Sequence, residues 1–473
     1  MRGKESREPL IHRMEWSLLQ EDAQDSHFME SARSIAPQAH CVFLLSGGDP
    51  SGDEVRRYSL AAWNPYQVLL TRGERCQLWR GLETLSTQEN PLKFLDSAIR
   101  ERGAAFPLRL SPFCGGALGY FSYDLKNSIE KLPASAMDHL KLPDIYLIWP
   151  RQMLILDRLQ GHLHEIRLHY REDKNQRASP ESSPLLPPWS GDFRVGPIQS
   201  NFTRRHYLQA VAKVRNHIRA GDVYQVNLSQ QFQCDFAGNP FDLWISLFKK
   251  NPTPFYAFIN AGDHQIVSTS MERFLFMKDG SIETRPIKGT RPRGKTPAED
   301  QFLAAELQND SKEDAELSMI VDLLRNDLGK ICAPRSIHVI EHKRLESYQN
   351  VHHLISIVRG RLRLGTTYGD ILRAAFPGGS ITGCPKIRAM EIIDELEPCV
   401  RHIYTGSIGY LGCHDNMDLS IAIRTAVLHG GKLHFSVGGG IVYDSDPQAE
   451  YEETLHKGLT FFQTLQSLSS RST

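Results

Sequence analysis

Two side chains near the middle of the chain, Glu272 and Lys288, could do acid–base and nucleophilic chemistry together. A carboxyl group can pass a proton to a leaving group, and a lysine amine can form a covalent bond to carbon. The same pair also fits an ordinary ion pair at a strand end, which is a common structural feature. Whether the two groups meet depends on the elements that carry them.

A β-hairpin is predicted directly between them. Residues 273–285 consist of two runs of strand-forming residues around a central Asp-Gly turn. Pairing across that turn places Glu272 opposite Ile287, so Glu272 and Lys288 come together at the open end of the hairpin. Strict alternation would point them to opposite faces. We therefore expect a bulge or a strong twist that brings both to one side.

Four glutamates form two pairs with helical spacing. Glu313 and Glu316 lie in the first turns of a predicted helix, where Ser311 begins a capping-box pattern, and Glu450 and Glu453 open a C-terminal helix. Two such pairs could supply the carboxylate oxygens that Mg²⁺ prefers. Acidic residues in a first turn also suit the helix dipole without any metal, so the pattern alone leaves both interpretations open.

A second hairpin is predicted in residues 417–442, around a Gly-Gly turn. Its register sets Arg424 beside the run Gly438, Gly439 and Gly440. Three glycines leave room for a ligand against bare backbone N–H groups, and an arginine offers a fork for a carboxylate. Tyr404 is predicted on the preceding strand. The run of three glycines lacks the strand–helix setting of a dinucleotide-binding fingerprint.

A hydroxyl-rich loop spans residues 376–386 and precedes a helix predicted from about Ile387. It contains Ser380 and Thr382, and a loop at a helix N-terminus favours an anion. It is not a P-loop, because Cys and Pro stand between its last glycine and its lysine.

These motifs together resemble those of a known family. Residues 270–274 (SMERF) and 286–294 (PIKGTRPRG) are similar to the chorismate-utilising enzymes. That family includes anthranilate synthase component I, aminodeoxychorismate synthase component I, and the isochorismate and salicylate synthases. The resemblance covers roughly residues 40–465 and is strongest to the aminodeoxychorismate synthase subgroup, which carries Lys at position 288 where anthranilate synthases carry Ala. Met271 departs from the pattern, since Pro is usual there.

The resemblance implies roles for individual residues. Lys288 would be the nucleophile, Glu272 the acid/base, and His353, rather than His352, would orient the leaving hydroxyl. The implied substrate contacts are Tyr404, Arg424, Gly438, Gly439, Gly440, Ser380, Thr382, Gln225 and Thr290. The implied Mg²⁺ ligands are Glu313, Glu316, Glu450 and Glu453, with Glu316 and Glu453 direct and the other two through water. Gln225 indicates ammonia as the incoming nucleophile, because hydroxylating members carry Lys there to activate water.

The implied activity converts chorismate and ammonia to 4-amino-4-deoxychorismate, with ammonia from a separate glutamine amidotransferase subunit. One alternative is anthranilate synthase component I. Another is a non-catalytic tryptophan-binding regulatory subunit, which the complete set of chemical groups opposes. By the same resemblance, Ser46, Pro254 and Phe255 match a tryptophan pocket; an ordinary core without a ligand is an equal alternative.

Composition is consistent with this class of protein. The 473 residues carry 55 basic and 55 acidic side chains, which argues against a nucleic-acid or membrane-surface partner. Eight scattered cysteines without a C-x-x-C pair indicate reduced thiols and a cytoplasmic location.

The expected fold, carried from the family, is α+β, with antiparallel sheets packed as a sandwich, helices outside, and the site in the cleft between them. We predict an N-terminal domain at 18–170, a Pro-rich linker at 171–200 and a catalytic domain at 201–465. The first 38 residues are expected to fray.

Overall fold

The computed structural model describes residues 11–51, 54–100, 112–171, 193–349 and 351–469. It is an α+β protein in which 23 strands of the described chain join into one hydrogen-bonded network. Every pairing between two named strands is antiparallel. The predicted fold class is confirmed. Within the described ranges, no helix combines the length and the apolar composition that a membrane span requires.

The strands are β1 (Ile11–Gln20), β2 (Cys41–Leu45), β3 (Tyr58–Arg72), β4 (Arg75–Arg80), β5 (Glu83–Gln88), β6 (Gly116–Phe121), β7 (Ile145–Asp157), β8 (His162–Tyr170), β9 (Arg194–Val195), β10 (Gln199–Ser200), β11 (Gln225–Ala237), β12 (Tyr256–Asn260), β13 (His264–Thr269), β14 (Arg273–Lys278), β15 (Ser281–Arg285), β16 (Ile287–Pro292), β17 (His338–Ser347), β18 (Val351–Arg361), β19 (Gly383–Cys384), β20 (Ser407–Gly412), β21 (Met417–Ile421), β22 (Thr425–His429) and β23 (Lys432–Ile441). The α-helices are α1 (Asp25–Ile35), α2 (Pro91–Arg100), α3 (Arg204–Arg219), α4 (Pro240–Lys250), α5 (Pro297–Asn309), α6 (Ser311–Gly329), α7 (Tyr368–Ala375), α8 (Lys386–Leu396) and α9 (Pro447–Ser469). Short 3₁₀ turns occur at Glu54–Arg56, Tyr123–Ser128 and Gly379–Ile381.

The two faces of the central strands bury different partners, as β12 illustrates. Ala257 and Ile259 belong to a core built largely from other strands, including β3, β7, β20 and β21. Tyr256 and Phe258 belong to a second core that includes side chains of α1, α4 and α9. Because strand side chains alternate between faces, one face of β12 packs into a core formed largely by strands, to which α2, α6 and α7 also contribute, and the other face packs into the core that includes α1, α4 and α9.

Strands from the two predicted domains pair directly with each other. β2 and β6 lie in residues 18–170, and they pair with β12 and β20 of residues 201–465. The division into domains stays a prediction, and most of the predicted linker, residues 172–192, lies outside the described residues. The expectation that residues 1–38 fray is wrong for the part described, because β1 pairs with β8 and α1 packs into the helix-side core.

The hairpin that carries the acid and the amine is confirmed. β14 and β15 flank the Asp-Gly turn, and the register shifts between Arg273 and Phe276. This irregularity is the expected bulge. It shifts the strand pairing by one residue, so a different residue stands opposite Glu272. A second shift follows in β16, where the register with β18 changes between Lys288 and Thr290 around Gly289, whose φ is 68°.

The second predicted hairpin is confirmed in its turn but not in its first strand. His429 pairs with Lys432 across the glycine turn, as expected. Residues 417–428 do not form one strand; they divide into β21 and β22, because the chain bends at 422–424 and Arg424 takes a φ of 50°. Tyr404 also lies in a turn before β20 rather than on a strand.

Candidate active site

Glu272 is buried at the open end of the β14–β15 hairpin. Ser380 Oγ donates a hydrogen bond to Glu272 Oε1 at 2.6 Å. Burial raises the pKa of Glu272 to about 7, against the opposing effects of this bond, the Lys288 charge and a bond from the Ile287 N–H. A carboxyl group with such a pKa is well suited to donate a proton near neutral pH.

Lys288 lies between two groups of site residues. Its Nζ is 3.9 Å from Glu316 Oε2. A Cβ atom at Gly440 would lie 3.6 Å from Lys288 Nζ and 2.6 Å from Gln225 Nε2. The amine and the Gln225 amide therefore both lie beside the bare backbone of Gly440. Gln225 is fully buried, and neither of its amide atoms has a hydrogen-bond partner among the described residues.

His353 lies on β18 opposite Thr290. Its Nδ1 is 3.0 Å from Thr290 Oγ1 and 3.2 Å from the Gly289 carbonyl oxygen, which fixes the ring. Burial, followed by the positive charge of Arg424, lowers the pKa of His353 to about 4, so the ring is neutral near pH 7. Its Nε2 is buried and has no hydrogen-bond partner in the described part of the chain. A neutral imidazole with one fixed nitrogen can orient a hydroxyl group.

His352 is engaged elsewhere. Its Nδ1 is 2.8 Å from Ser347 Oγ, and its Nε2 is 2.9 Å from Asp300 Oδ1. Both ring nitrogens thus have structural partners. The sequence-based choice of His353 over His352 agrees with this geometry.

The four predicted metal-binding glutamates lie on two helices, within the first two turns of α6 and of α9. The cap of α6 is Asp310, not Ser311: its carboxylate accepts hydrogen bonds from the N–H groups of Lys312 and Glu313. Ser311 is already inside the helix, so the predicted capping box is wrong by one residue, although the helix itself is confirmed.

Glycines bring these carboxylates to the rest of the site. A Cβ atom at Gly439 would lie 3.2 Å from Glu450 Oε2 and 3.5 Å from Glu453 Oε1, and one at Gly289 would lie 3.2 Å from Glu313 Oε2. Gly439 therefore contacts the α9 pair, while its neighbour Gly440 contacts the amine and the amide.

The electrostatics of the carboxylates fit a divalent cation. Burial raises the pKa of Glu313, and Glu316 adds to this rise. Burial likewise raises the pKa of Glu450, and Glu453 adds to it in the same way. A divalent cation would relieve this repulsion, and carboxylate oxygens are its preferred ligands.

The carboxylates are not gathered into a finished ligand cluster. Within the described ranges, no three His, Cys, Asp or Glu side chains form a group that could hold a metal. Lys457 Nζ lies 2.6 Å from Glu453 Oε1 and, despite the opposing effect of burial, this lysine lowers the pKa of Glu453. Closing the four oxygens on a cation would therefore require side-chain movement and displacement of that lysine.

Arg424 and Tyr404 are the predicted carboxylate contacts. Arg424 is placed by the bend between β21 and β22, and burial lowers its pKa. Its backbone carbonyl accepts a hydrogen bond from the Thr269 N–H. Tyr404 is buried, which raises the pKa of its phenol, and its ring centroid lies 5.8 Å from the Arg401 guanidinium carbon.

The two hydroxyls of the 376–386 loop have different partners. Ser380 turns to Glu272, whereas Thr382 Oγ1 donates to the carbonyl of Gly378 within the loop. The structure thus connects Ser380 to the acid directly and uses the Thr382 hydroxyl to hold the loop.

The three residues predicted to line a tryptophan pocket are separated over two cavities. Ser46 and Phe255 line a cavity of about 680 Å³, its open mouth included. Pro254, together with Phe255, lines a neighbouring cavity of about 340 Å³. The Ser46 hydroxyl donates to the carbonyl of Val55 at 3.0 Å.

Three residues that the sequence did not single out belong to the site region. Lys457 pairs with Glu453, and Asn227 lies two residues after Gln225 on β11. Arg401 forms a buried ion pair with Glu397. Spacing could have indicated two of them: Lys457 lies four residues after Glu453 on one helix, and Asn227 shares a strand face with Gln225. Glu397 and Arg401 lie beyond the end of α8, so helical spacing does not apply to them.

Comparison with known proteins agrees with the site. The family model of chorismate binding enzymes matches residues 41–463. Aminodeoxychorismate synthase component 1 of Salmonella typhimurium is 40% identical over 431 residues, covering 89% of this chain and 93% of that protein. Anthranilate synthase component 1 of Cereibacter sphaeroides is 39% identical over 429 residues, covering 86% of each. The crystal structure of anthranilate synthase component I from Streptococcus pneumoniae TIGR4 has a TM-score of 0.75 at 33% identity, covering 85% of this chain and 91% of that chain.

This chain therefore belongs to the family of chorismate binding enzymes. It is an enzyme that acts on chorismate. Relatives with two different names match it at similar identity, so the particular reaction rests on the residues of the site.

Proposed function

We propose that this enzyme aminates chorismate at C4 to give 4-amino-4-deoxychorismate, as aminodeoxychorismate synthase component I. The product would feed 4-aminobenzoate and folate synthesis. One observation carries the proposal: the Lys288 amine and the Gln225 amide both lie beside Gly440, and the charge of Lys288 is close enough to the buried Glu272 to act on its pKa. A nucleophilic amine, a proton donor and a neutral amide suit displacement of a hydroxyl by ammonia.

In the proposed mechanism, Lys288 Nζ attacks ring C2 as the C4 hydroxyl leaves with a proton from Glu272. Ammonia then forms a bond to C4, and the C2–Nζ bond breaks, returning its electron pair to Lys288. The ionised Glu272 can take the proton that the new amine loses. Two displacements replace one difficult displacement.

His353 and Ser380 support the first step. The buried Nε2 of neutral His353 can hold the C4 hydroxyl in position without competing for the proton of Glu272. The Ser380 hydrogen bond fixes the Glu272 carboxyl group and stabilises its ionised form once the proton is gone.

The proposed ligands of Mg²⁺ are Glu313, Glu316, Glu450 and Glu453. When bound, the cation would neutralise the ring carboxylate of chorismate and hold the plane of the ring. Arg424 and Tyr404 would bind the substrate's carboxylates, and the N–H groups of Gly438, Gly439 and Gly440 would line the ring.

Ammonia would come from a separate glutamine amidotransferase subunit. Both curated relatives above are named as component 1, which supports a second component. Cys384, which follows a glycine in the 376–386 loop, does not suit a glutaminase nucleophile, because burial raises the pKa of its thiol. The cavity that Ser46 and Phe255 line would take tryptophan or a ligand of similar size.

Anthranilate synthase component I remains the second candidate, because its representative from Cereibacter sphaeroides is nearly as similar. A product assay separates the two. The purified chain would be incubated with chorismate, Mg²⁺ and ammonium chloride, with and without aminodeoxychorismate lyase, and the aminobenzoate isomers resolved by chromatography. 4-Aminobenzoate that appears only with the lyase supports the proposal, whereas 2-aminobenzoate without the lyase means anthranilate synthase.

Substituting the proposed nucleophile tests the covalent mechanism. Lys288→Ala should abolish most turnover while leaving chorismate binding measurable by calorimetry. Unchanged turnover in Lys288→Ala would refute the covalent intermediate. Lys278→Ala is the matched control, since Lys278 is a half-buried lysine at the far end of the same hairpin.

A further inference from the structure

Asn227 presents a hydrogen-bond acceptor that no residue of the described chain uses. Its side chain is 9% exposed, and its Oδ1 is buried without a hydrogen-bond partner among the described residues. A buried polar atom without a partner in the fold is destabilising, so such an atom in a site favours the binding of a group that can pair with it.

The register of β11 against β23 places this acceptor on the active-site side of the sheet. Asn227 stands opposite Gly440, and its Oδ1 would lie 2.8 Å from a Cβ atom at Gly438. Gln225, two residues earlier on the same face, leans in the same direction over Gly440. The two amides therefore form a short row along the glycine run, beside Lys288.

The backbone of Asn227 is already fixed. Its carbonyl accepts a bond of 2.6 Å from Arg401, which is itself held by Glu397, and its N–H donates to the Thr382 carbonyl at 2.8 Å. These bonds hold the strand in place and fix the direction in which the side chain leaves the backbone. The Oδ1 atom is therefore open to a bound group that has a hydrogen to donate.

The chemistry of the two amides selects between the reactants. Chorismate offers carboxylates and an ether oxygen, which are acceptors, and one hydroxyl near the acid. Ammonia is the reactant with several N–H donors. A neutral amide can accept from ammonia without protonating it, whereas a carboxylate would favour ammonium, which has no lone pair for attack.

We propose that Asn227 is a further residue of the ammonia-binding subsite beside Gln225, with Asn227 Oδ1 accepting an N–H and aiming the nitrogen lone pair at C4. This inference rests on the proposed amination. Nitrogen forms its bond to C4, the C2–Nζ bond breaks toward Lys288, and the surplus proton of the new amine passes to Glu272. Water attacking C4 in place of ammonia would expel Lys288 and regenerate chorismate with a solvent oxygen.

The test compares Asn227→Leu, Asn227→Asp and wild-type enzyme with ammonium chloride as the nitrogen source. Asn227→Leu keeps the branching of the side chain at Cγ and removes the acceptor. At fixed pH, its KM for ammonium should rise about three- to tenfold, the value of one neutral hydrogen bond. Its KM for chorismate should change less than about twofold. In ¹⁸O-water, chorismate recovered from this variant should contain more label per amine formed.

Asn227→Asp keeps an acceptor but adds a charge. It should bind ammonium with a KM near that of wild type, while its rate optimum moves to higher pH because the carboxylate holds the protonated form. Gln233→Leu is the matched control, because Gln233 is a half-buried amide on the same face of β11, six residues from Asn227. This variant should leave the KM for ammonium and the KM for chorismate unchanged.

The outcomes separate this inference from the proposed function. If wild-type enzyme forms no 4-amino-4-deoxychorismate from ammonium, the proposed function fails. If wild type aminates but Asn227→Leu raises the KM for chorismate instead, Asn227 contacts chorismate and the ammonia subsite is wrong. Equal loss in Asn227→Leu and Asn227→Asp without any pH shift would also overturn it, because that pattern indicates a structural role.

Discussion

Removing the Ser380 hydroxyl should make Glu272 a weaker acid. Ser380 Oγ donates to Glu272 Oε1 at 2.6 Å, and both side chains are more than nine-tenths buried. The bond stabilises the ionised carboxylate, so it opposes the rise that burial causes. Without it, the pKa of Glu272 should increase further from its value of about 7.

The size of the shift follows from the strength of the bond. A hydrogen bond to a buried charged group contributes about 1.5–3 kcal/mol, and one pKa unit corresponds to about 1.4 kcal/mol. Ser380→Ala should therefore raise the pKa of Glu272 by about one to two units. The protonated form is the one that donates to the leaving hydroxyl, so it would persist to higher pH.

The assay is the pH dependence of kcat/KM for chorismate at a constant concentration of free ammonia. In Ser380→Ala the alkaline decline should move up by about one to two pH units, even if the maximal rate falls. Thr382→Val is the matched control, since the Thr382 hydroxyl donates to Gly378 and not to the acid. An alkaline limb that stays in place, moves down, or moves equally in Thr382→Val would refute Glu272 as the proton donor.

Three further perturbations follow from the structure. Gly439→Ala should weaken activation by Mg²⁺ about tenfold or more, because the new methyl group contacts the α9 carboxylates. Gly329→Ala is the control and should leave activation unchanged, since its methyl group contacts one side chain at 4.0 Å. A titration of activity with Mg²⁺ measures both variants. Glu272→Gln should be more stable than wild type by up to about 3 kcal/mol at pH 8 and by almost nothing at pH 4. The reason is that ionising the buried Glu272 destabilises the wild-type fold only as pH rises from 4.5 through about 7. Thermal melts at the two pH values test the sign. Arg401→Met should lower stability by about 3–5 kcal/mol by leaving Glu397 buried without its cationic partner, and denaturant unfolding would show the loss.

The local elements of the site could be predicted because short-range rules determine them. The Asp-Gly turn set the register of the first hairpin, and the conflict between that register and the chemistry required the bulge found near Arg273. The spacing of apolar residues found α6 and α9. In each case neighbouring residues along the chain carry the information.

The errors occurred where distant contacts override the local pattern. Residues 417–428 alternate like one strand, but β21 pairs with β14 and β22 pairs with β13, so the chain must bend between them and Arg424 takes a left-handed conformation. β1 is not evident from the sequence because β8 is its one partner among the described strands, and its exposed Trp16 and Leu19 give no burial signal. The pairing partners of β1, β21 and β22 cannot be identified from the sequences of these segments alone.

The alternation of β23 explains why the glycine run has to be glycine. Gly439 faces the carboxylates of α9, and Gly440 faces the opposite side, where Gln225 and Lys288 lie. Consecutive strand residues point to opposite faces, so a side chain at Gly439 would press on the α9 carboxylates, and one at Gly440 would press on the Gln225 amide and approach the Lys288 amine. Lys288 Nζ is itself only 3.9 Å from Glu316 Oε2, so the proposed nucleophile and the proposed metal ligands border the same space. Glycine at both positions keeps that space open to one ligand.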